Sequence, residues 1–318
     1  MASHEPPISE IPRHPVRVVA HRTGLSPHVL RAWERRYGLI APTRTEAGQR
    51  LYSDADIVRL TVLKNLAAGG AQISQLARLP MAELERMAQT AGRATPEAQG
   101  EPRHPEEWRA DAMRAVDAMD IAGLRHGLER GAVSLGVSRL VEEVVSPVLV
   151  AIGERWHAGR LTIAQEHQAS GAVRQVLGWL RELAETREAA PGLVVGTPPG
   201  QIHEGGALMA AAIAASEGWQ VTYLGADLPV TEFAETARRT TARAVALSII
   251  HPGNDSEMGG HLRSLGRSLP AGVALLVGGA AAAAYAEAIA SAKGKLLSDL
   301  SGLRGALRDL TLQAVAPE

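Results

Sequence analysis

The sequence predicts a multidomain α and α/β protein with a winged helix-turn-helix, a four-helix bundle and a doubly wound parallel sheet domain. Three observations lead there. Two short helical stretches meet at Gly24 inside a segment, Arg13 to Arg59, that carries nine arginines. Apolar residues then recur at helical spacing from Trp108 to Leu183. Beyond Pro191, short runs of Val, Leu and Ile alternate with Ala-rich segments, the pattern of buried parallel strands separated by helices.

The chain has 318 residues, enough for two or three domains with their own cores. Its formal charge of -1 conceals an asymmetry: Arg13 to Arg59 holds nine Arg, no Lys and four acids, a net of +5, so the remainder is acidic. A basic first domain suggests nucleic acid as partner. The absence of cysteine excludes disulfides, zinc-thiolate sites and thiol catalysis. No apolar run approaches the ~18 residues that a bilayer requires, and the first residues lack a charged-then-apolar leader. A cytoplasmic location without a membrane partner is expected.

Residues 1–12 contain three prolines and no apolar period, and read as a flexible tail. The DNA-reader-sized domain is placed at 13–88. Val16 to Gly24 forms a short helix stopped by its glycine. Ser26 and Pro27 supply an N-cap and first-turn proline for a second helix, His28 to Tyr37, ended by Gly38. On that helix Val29, Leu30 and Trp33 can pack inward while Arg31, Arg35 and Arg36 project elsewhere, as suits a major groove. Pro42 to Tyr52 forms a small hairpin turning at Ala47-Gly48, with Arg44 and Arg50 on its arms. Asp54 and Asp56 open a further helix carrying Ile57, Leu60, Leu63 and Leu66 on one face.

Residues 89–105, rich in Pro, Gly, Ala, Gln and charge, read as a linker. The helical bundle is placed at 106–188, with Trp108, Met113, Val116, Met119 and Leu124 spaced for one buried face and two longer helices over 135–153 and 163–183. Gly159 breaks the chain between them and Thr162 caps the second. Trp156 and His157 thus end one helix, Glu166 and His167 begin the next, and both pairs lie at one end of the bundle. The last domain is placed at 189–318, with strands near 193–197, 220–224, 244–250, 273–278 and 296, a sheet of flavodoxin-like size.

In that domain Gln201, His203 and Gly206 form a glycine-rich turn after the first strand, at the carboxyl edge where open α/β sheets bind ligands. Ser248 and Gly278-Gly279 end two further strands and should line the same crevice. The run Gly279 to Ala284 reads as a small-residue helix terminus beside a bound group. Gly278-Gly279 also admits a dinucleotide site, although the first turn lacks the full glycine fingerprint.

The His203, Gly206, Ser248 and Gly278-Gly279 pattern resembles the cobalamin-binding domain of cobalamin-dependent mutases, methyltransferases and some regulators. The resemblance implies that His203 binds cobalt from below, and that the displaced nucleotide tail threads past Ser248 through space left by Gly206, Gly278 and Gly279. Gln201 stands where that family has Asp or Glu, which makes the expected partner of His203 neutral; Ile250 replaces a leucine. Arg31 to Gly38, followed by Arg44, Gly48, Arg50 to Tyr52 and Ser53, is similar to the winged helix of MerR-type regulators. That likeness implies that Arg31, Arg35 and Arg36 face DNA from the recognition helix while Arg44, Arg50 and Tyr52 contact phosphate from the wing. Trp156, nine residues, then Glu166-His167 resembles the helical cap of the CarH/LitR group of light-sensing MerR-type repressors. It implies that Trp156 packs on the adenosyl group of adenosylcobalamin, that Glu166 and His167 contact it, and that His157 binds cobalt from above once the group is lost.

Taken together, the resemblances imply an adenosylcobalamin-dependent, light-responsive transcriptional repressor and not an enzyme. It would bind double-stranded operator DNA as a dark-state homo-oligomer, tetrameric in the resembling group, and leave it when green or blue light breaks the cobalt–carbon bond. Two other readings stand beside it: a light-independent MerR-type regulator with a degenerate cobalamin site, and a corrinoid enzyme subunit, which would leave the basic first domain without a task.

Overall fold

The computed structural model describes residues 9–45, 48–68, 71, 73–93, 103–182, 190–251 and 255–313, with the side chains of residues 28, 68 and 90–93 excepted. The chain forms two compact units. One comprises the residues up to Asp111 together with His126–Gly136; the other comprises Ala112–Arg125 and Val137 onward.

In the first unit, strand β1 (His14–Pro15) leads into helix α1 (Val16–Thr23), and α2 spans Pro27–Tyr37. The local signals act as expected. Gly24 and Gly38 adopt left-handed φ values of 65° and 60° and close the two helices, while the Ser26 side chain accepts from Val29 N. Val29, Leu30 and Trp33 are buried, and the four expected apolar residues of α3 (Asp54–Ala68) are buried as well. Ser53 and Asp56 form a reciprocal cap at the start of α3, each side chain taking the other's backbone N–H. Helices α4 (Ile73–Leu76) and α5 (Met81–Arg93) follow. The last reaches into the stretch expected as linker; residues 94–102 lie outside the described residues.

The hairpin β2 (Thr43–Arg44) and β3 (Arg50–Tyr52) forms with Arg44 opposite Arg50, and β1 adds a third antiparallel strand in the order β1-β3-β2. Sequence reading did not anticipate β1, because two residues carry no period of their own. Ala47, half of the expected turn, lies outside the described residues.

Four helical stretches are described between Pro105 and Glu182: α6 (Pro105–Asp117), α7 (Ile121–Leu135), a long helix of α8 (Val137–Leu140) and α9 (Ser146–His157), and α10 (Ile163–Glu182). The long helix opens into a π-turn over Val141–Val145, where Ser146 N donates to Val141 O. Pro147 explains it, because a proline in a helix has no N–H for the carbonyl four residues back and crowds it. Met119 departs from the expected buried face. It is 44% exposed with φ 53°, because the chain turns there and Asp120 N reaches Ala115 O, leaving Trp108, Val116 and Leu124 as the buried members.

In the second unit the strands β4 (Gly192–Gly196), β5 (Gln220–Gly225), β6 (Ala244–Ser248), β7 (Ala274–Gly278) and β8 (Lys295–Leu296) form a parallel sheet in the order β5-β4-β6-β7-β8. Alternate side chains of β4 feed opposite layers. Val194 joins Phe233, Val245, Met258 and Leu262 under α12 (Val230–Arg239), α13 (Met258–Ser268) and α14 (Ala286–Ser291). Leu193 and Val195 join Ala211, Trp219 and Leu307 under α11 (Gly205–Ser216) and α15 (Leu300–Gln313). The β4 and β6 connections therefore leave toward opposite faces, and a crevice opens between them. β6 stops at Ser248 instead of Ile250, because Ile250 N donates to the Gln201 side chain and leaves the ladder. The alanine run after Gly279 is a 3-10 turn over Ala282–Tyr285 ahead of α14, not the beginning of an α-helix. Among the described residues no helix is long and apolar enough to cross a membrane.

Asp54, at the start of α3, receives Arg22 at 3.0 Å, His14 at 2.9 Å and also Arg13. Arg22 first, then Arg13 and His14, holds its carboxyl down from 3.8 to about 2. Because the folded value is depressed, the cluster's stabilisation is complete above about pH 4 and is lost as pH falls toward about 2. An Asp54→Asn chain should therefore lose melting temperature less steeply than the parent across that window, followed by circular dichroism; parallel curves would exclude Asp54 from acid unfolding.

Candidate functional site

The crevice is built by four short connections. After β4, Thr197 is completely buried; its hydroxyl donates to Gln201 O and accepts from Asp227 N at 2.9 Å. Asp227, in the left-handed region at φ 59°, accepts from Gly200 N at 2.8 Å, which ties the β4 loop to the β5 loop. Gln201 is 2% exposed. Its Oε1 accepts from Ile250 N at 2.8 Å and His251 N at 3.0 Å, and its Nε2 donates to His251 O. This corrects the expectation that Gln201 stands behind His203: a buried amide needs partners at both ends, and the β6 loop supplies them to Oε1 and Nε2. His203 is exposed and has no hydrogen-bond partner among the described residues, with the exposed Ile202 beside it.

Gly206, Ser248, Gly278 and Gly279 come together as expected. A Cβ on Gly206 would stand 2.3 Å from Ser248 Oγ, and one on Gly279, φ 106°, would stand 2.3 Å from Ile249 O. Ser248 pairs in register with Gly278. Its hydroxyl oxygen is buried and without a hydrogen-bond partner. A buried unpaired hydroxyl costs about 1–3 kcal/mol, so the slot presents a polar atom in want of a ligand.

The bundle end lies beyond this edge. Ser138 meets Ser216 at the far end of α11, whereas a Cβ on Gly205, at its start, would touch Leu149 of α9. From Leu149 the helix runs seven residues further, about 10 Å, to Trp156. On α10, Arg174 Nε meets Glu204 Oε1 at 2.9 Å, and Glu166 lies eight residues back, about 12 Å. Trp156 is 38% exposed and packs edge-on against His157 with ring centroids 4.7 Å apart. His157 Nδ1 lies 2.8 Å from Gly153 O; since a carbonyl only accepts, Nδ1 carries the hydrogen and Nε2 of the neutral ring presents its lone pair. Glu166 takes His167 Nδ1 and Ser170 Oγ, each at 2.6 Å. No hydrogen bond or ion pair joins the 156–157 pair to the 166–167 pair among the described residues. Thr162 and Gln165 fix their spacing by a reciprocal cap at 3.0 and 3.2 Å, and Gln165 Nε2 also reaches Asp117 O.

Sequence reading missed Thr197, Asp227, Glu204, Tyr223, Arg174 and Ser170. The capping spacing of Thr162 and Gln165 was available as a signal, and so was a carboxylate adjoining His203. Glu204 also accepts from the Tyr223 hydroxyl. Burial first, and then this carboxylate, pushes the Tyr223 phenol above its ordinary range.

In the first unit Arg31 is half-buried with Nε unpaired, Arg35 is exposed, and Arg36 reaches toward Glu129 of α7 at 3.9 Å. Arg44 is exposed near Gly48 O. Two expected phosphate contacts are corrected. Tyr52 is 0% exposed and belongs to the core, and Arg50 Nε meets both Glu34 carboxylate oxygens at 3.0 and 2.9 Å, which clamps the wing to α2.

The slot gives a sharp test. Ser248→Ala removes an unsatisfied oxygen and should leave folding stability unchanged or raised, yet lower about tenfold the affinity for the cobalamin that the resemblance implies. Gly279→Ala should cost about 1–3 kcal/mol of stability through its φ. Thermal melts with equilibrium dialysis measure both; equal affinity for Ser248→Ala would remove the slot from ligand binding.

Residues 15–80 match the family described as MerR HTH family regulatory protein, and 108–181 and 191–299 each match a B12 binding domain. The monomethylamine corrinoid protein of Methanosarcina barkeri superposes with a TM-score of 0.51 at 17% identity, over 65% of this chain and 100% of its own, a likeness of fold. The HTH-type transcriptional repressor CarA of Myxococcus xanthus is 28% identical over 277 residues, 87% of this chain and 90% of its own. The HTH-type transcriptional repressor CarH of the same organism is 34% identical over 271 residues, 85% of this chain and 90% of its own. Identity at that level, carried along nearly the whole of both chains, establishes that the protein belongs to the CarH family of MerR-type, B12-binding transcriptional repressors.

Proposed function

We propose that the chain is an adenosylcobalamin-dependent, light-responsive repressor that binds operator DNA as a dark-state tetramer and leaves it on illumination. The observation that carries this reading is the exposed Trp156 and His157 standing past an edge where Ser248 Oγ is buried and unpaired. Adenosylcobalamin supplies, when bound, a cobalt–carbon bond that visible light breaks. The remaining tasks fall to the chain. His203 offers an imidazole from the sheet edge, and Ser248 takes a polar group of the nucleotide tail between Gly206 and Gly279. Trp156 covers the adenosyl group with an apolar ring face, and Glu166 and His167 present polar groups to it. His157 offers Nε2 from the bundle side once that group has gone.

DNA contact falls to Arg31, Arg35, Arg36 and Arg44, with Arg50 and Tyr52 holding the wing in place. A tetramer links several such readers and raises avidity well above that of one. For light to work the switch, the cofactor must favour one assembly over the other. A second reading, a light-independent regulator with a weakened site, is favoured by Gln201, which leaves His203 without a carboxylate behind it.

An absorption spectrum of the desalted, dark-loaded protein before and after green light separates the two. Retained cofactor with a spectral change that persists in the dark is expected, and His157→Ala should alter the product spectrum; loss of cofactor on desalting selects the second reading. For DNA, Arg35→Ala should weaken operator binding and reduce the log–log salt slope by about 1. Tyr52→Phe should leave the slope unchanged, and a changed slope would return Tyr52 to the phosphate contacts.

A further inference from the structure

We propose that one polar stripe on α10 couples the two faces of the site, with Arg174 and Glu204 as the positioning pair; the proposal rests on the cobalamin reading above. Glu166, Ser170 and Arg174 are spaced by four residues and so lie one above another on a single helix face. The stripe is hydrogen-bonded at both ends. Ser170 Oγ donates to Glu166 Oε1 at 2.6 Å, and Arg174 Nε meets Glu204 Oε1 at 2.9 Å. Glu204 directly follows His203, and its other oxygen accepts from Tyr223. Seven residues beyond Arg174, Arg181 sets its guanidinium 5.4 Å from the Tyr223 ring centre. The helix that carries the upper residues is thus pinned at two levels to the loop and strand beside the lower one.

The apolar packing leaves such a pin something to decide. α10 buries Ala169, Ala172, Val173, Val176, Leu177 and Leu180, and the neighbouring α11 buries Leu208, Met209 and Ile213 among its alanines between Ala207 and Ala215. Apolar attraction is non-directional, so it does not decide which polar groups meet between the two helices. The charged pair supplies the register instead. Glu204 is only 19% exposed, so its charge is less screened than that of a surface pair, although Arg174 is 62% exposed. A change of partner at Glu166 is then felt along α10 as a shift of Arg174, hence of Glu204 and the loop holding His203.

The test is a double-mutant cycle in the full chain with Arg174→Met and Glu204→Gln, singly and together, each folded state checked by thermal melting. Operator affinity is measured in the dark with and without adenosylcobalamin. Axial nitrogen splitting is measured by EPR on cob(II)alamin-loaded protein. We expect each single variant to keep the cofactor on desalting, to lose at least about fivefold of the cofactor-dependent gain in affinity, and to show nitrogen splitting on a smaller fraction of cobalt. The double variant should be no worse than either single one, and the exchanged pair Arg174→Glu with Glu204→Arg should recover part of the gain. Unchanged gain in Arg174→Met, or losses that multiply in the double variant, would overturn the proposal, and Arg174→Met alone decides it should Glu204→Gln not fold. A parent protein without any cofactor-dependent gain would instead defeat the repressor reading of the preceding section.

Discussion

One buried amide holds the crevice together. Gln201, 2% exposed, closes three hydrogen bonds on the backbone of residues 250 and 251, so the β4 connection cannot move without stranding polar groups in the interior. Much of the edge follows from this. Ile250 N is drawn out of the ladder, β6 ends at Ser248, and Ser248 comes to face Gly206. His203, two residues beyond Gln201, is left pointing to solvent with its ring uncommitted. Thr197 and Asp227 brace the same loop from the other side, and Asp227 accepts a left-handed backbone to do so.

The slot beneath is made by omission. Side chains are missing at Gly206 and Gly279, where a methyl would run into Ser248 Oγ and Ile249 O, and a polar atom is left over at Ser248. A well-packed interior with an unsatisfied oxygen is costly for folding alone, and the cost is understandable where a ligand's polar group completes the pairing. The upper side is built differently. Trp156 and His157 end one helix and Glu166 and His167 begin another, so their positions depend on the five-residue connection and on the Thr162–Gln165 cap that stiffens it.

In the DNA-binding unit the division of labour among arginines is decided by acids. Glu34 takes Arg50 and joins the wing to α2, while Asp54 gathers Arg13, His14 and Arg22 around the start of α3. Arg35 and Arg44 are exposed on the same unit. This unit is therefore rigid where the wing meets the helix and basic where it meets solvent, which is the combination a groove reader needs.

The sequence by itself determined most of the elements and their order, with the two-residue β1 among those it did not. Gly24, Gly38, Ser26 and Pro27 act through backbone dihedrals and caps a few residues away; the period of Ile57, Leu60, Leu63 and Leu66 names its own buried face; and the alternation after Pro191 dictates a parallel sheet with its crevice at the carboxyl edge. These signals are local, and one chain suffices to read them. Only the tertiary structure decided which partners the polar side chains took. Gln201 turned to a loop 49 residues away instead of to His203, Arg50 turned to Glu34 at a separation of 16, Tyr52 went into the core, and Glu204 found Arg174 on another helix. The reason is physical: a polar group pairs with whatever the fold brings within about 3 Å, and burial, which makes that pairing obligatory, is a property of the packed whole and not of the residue.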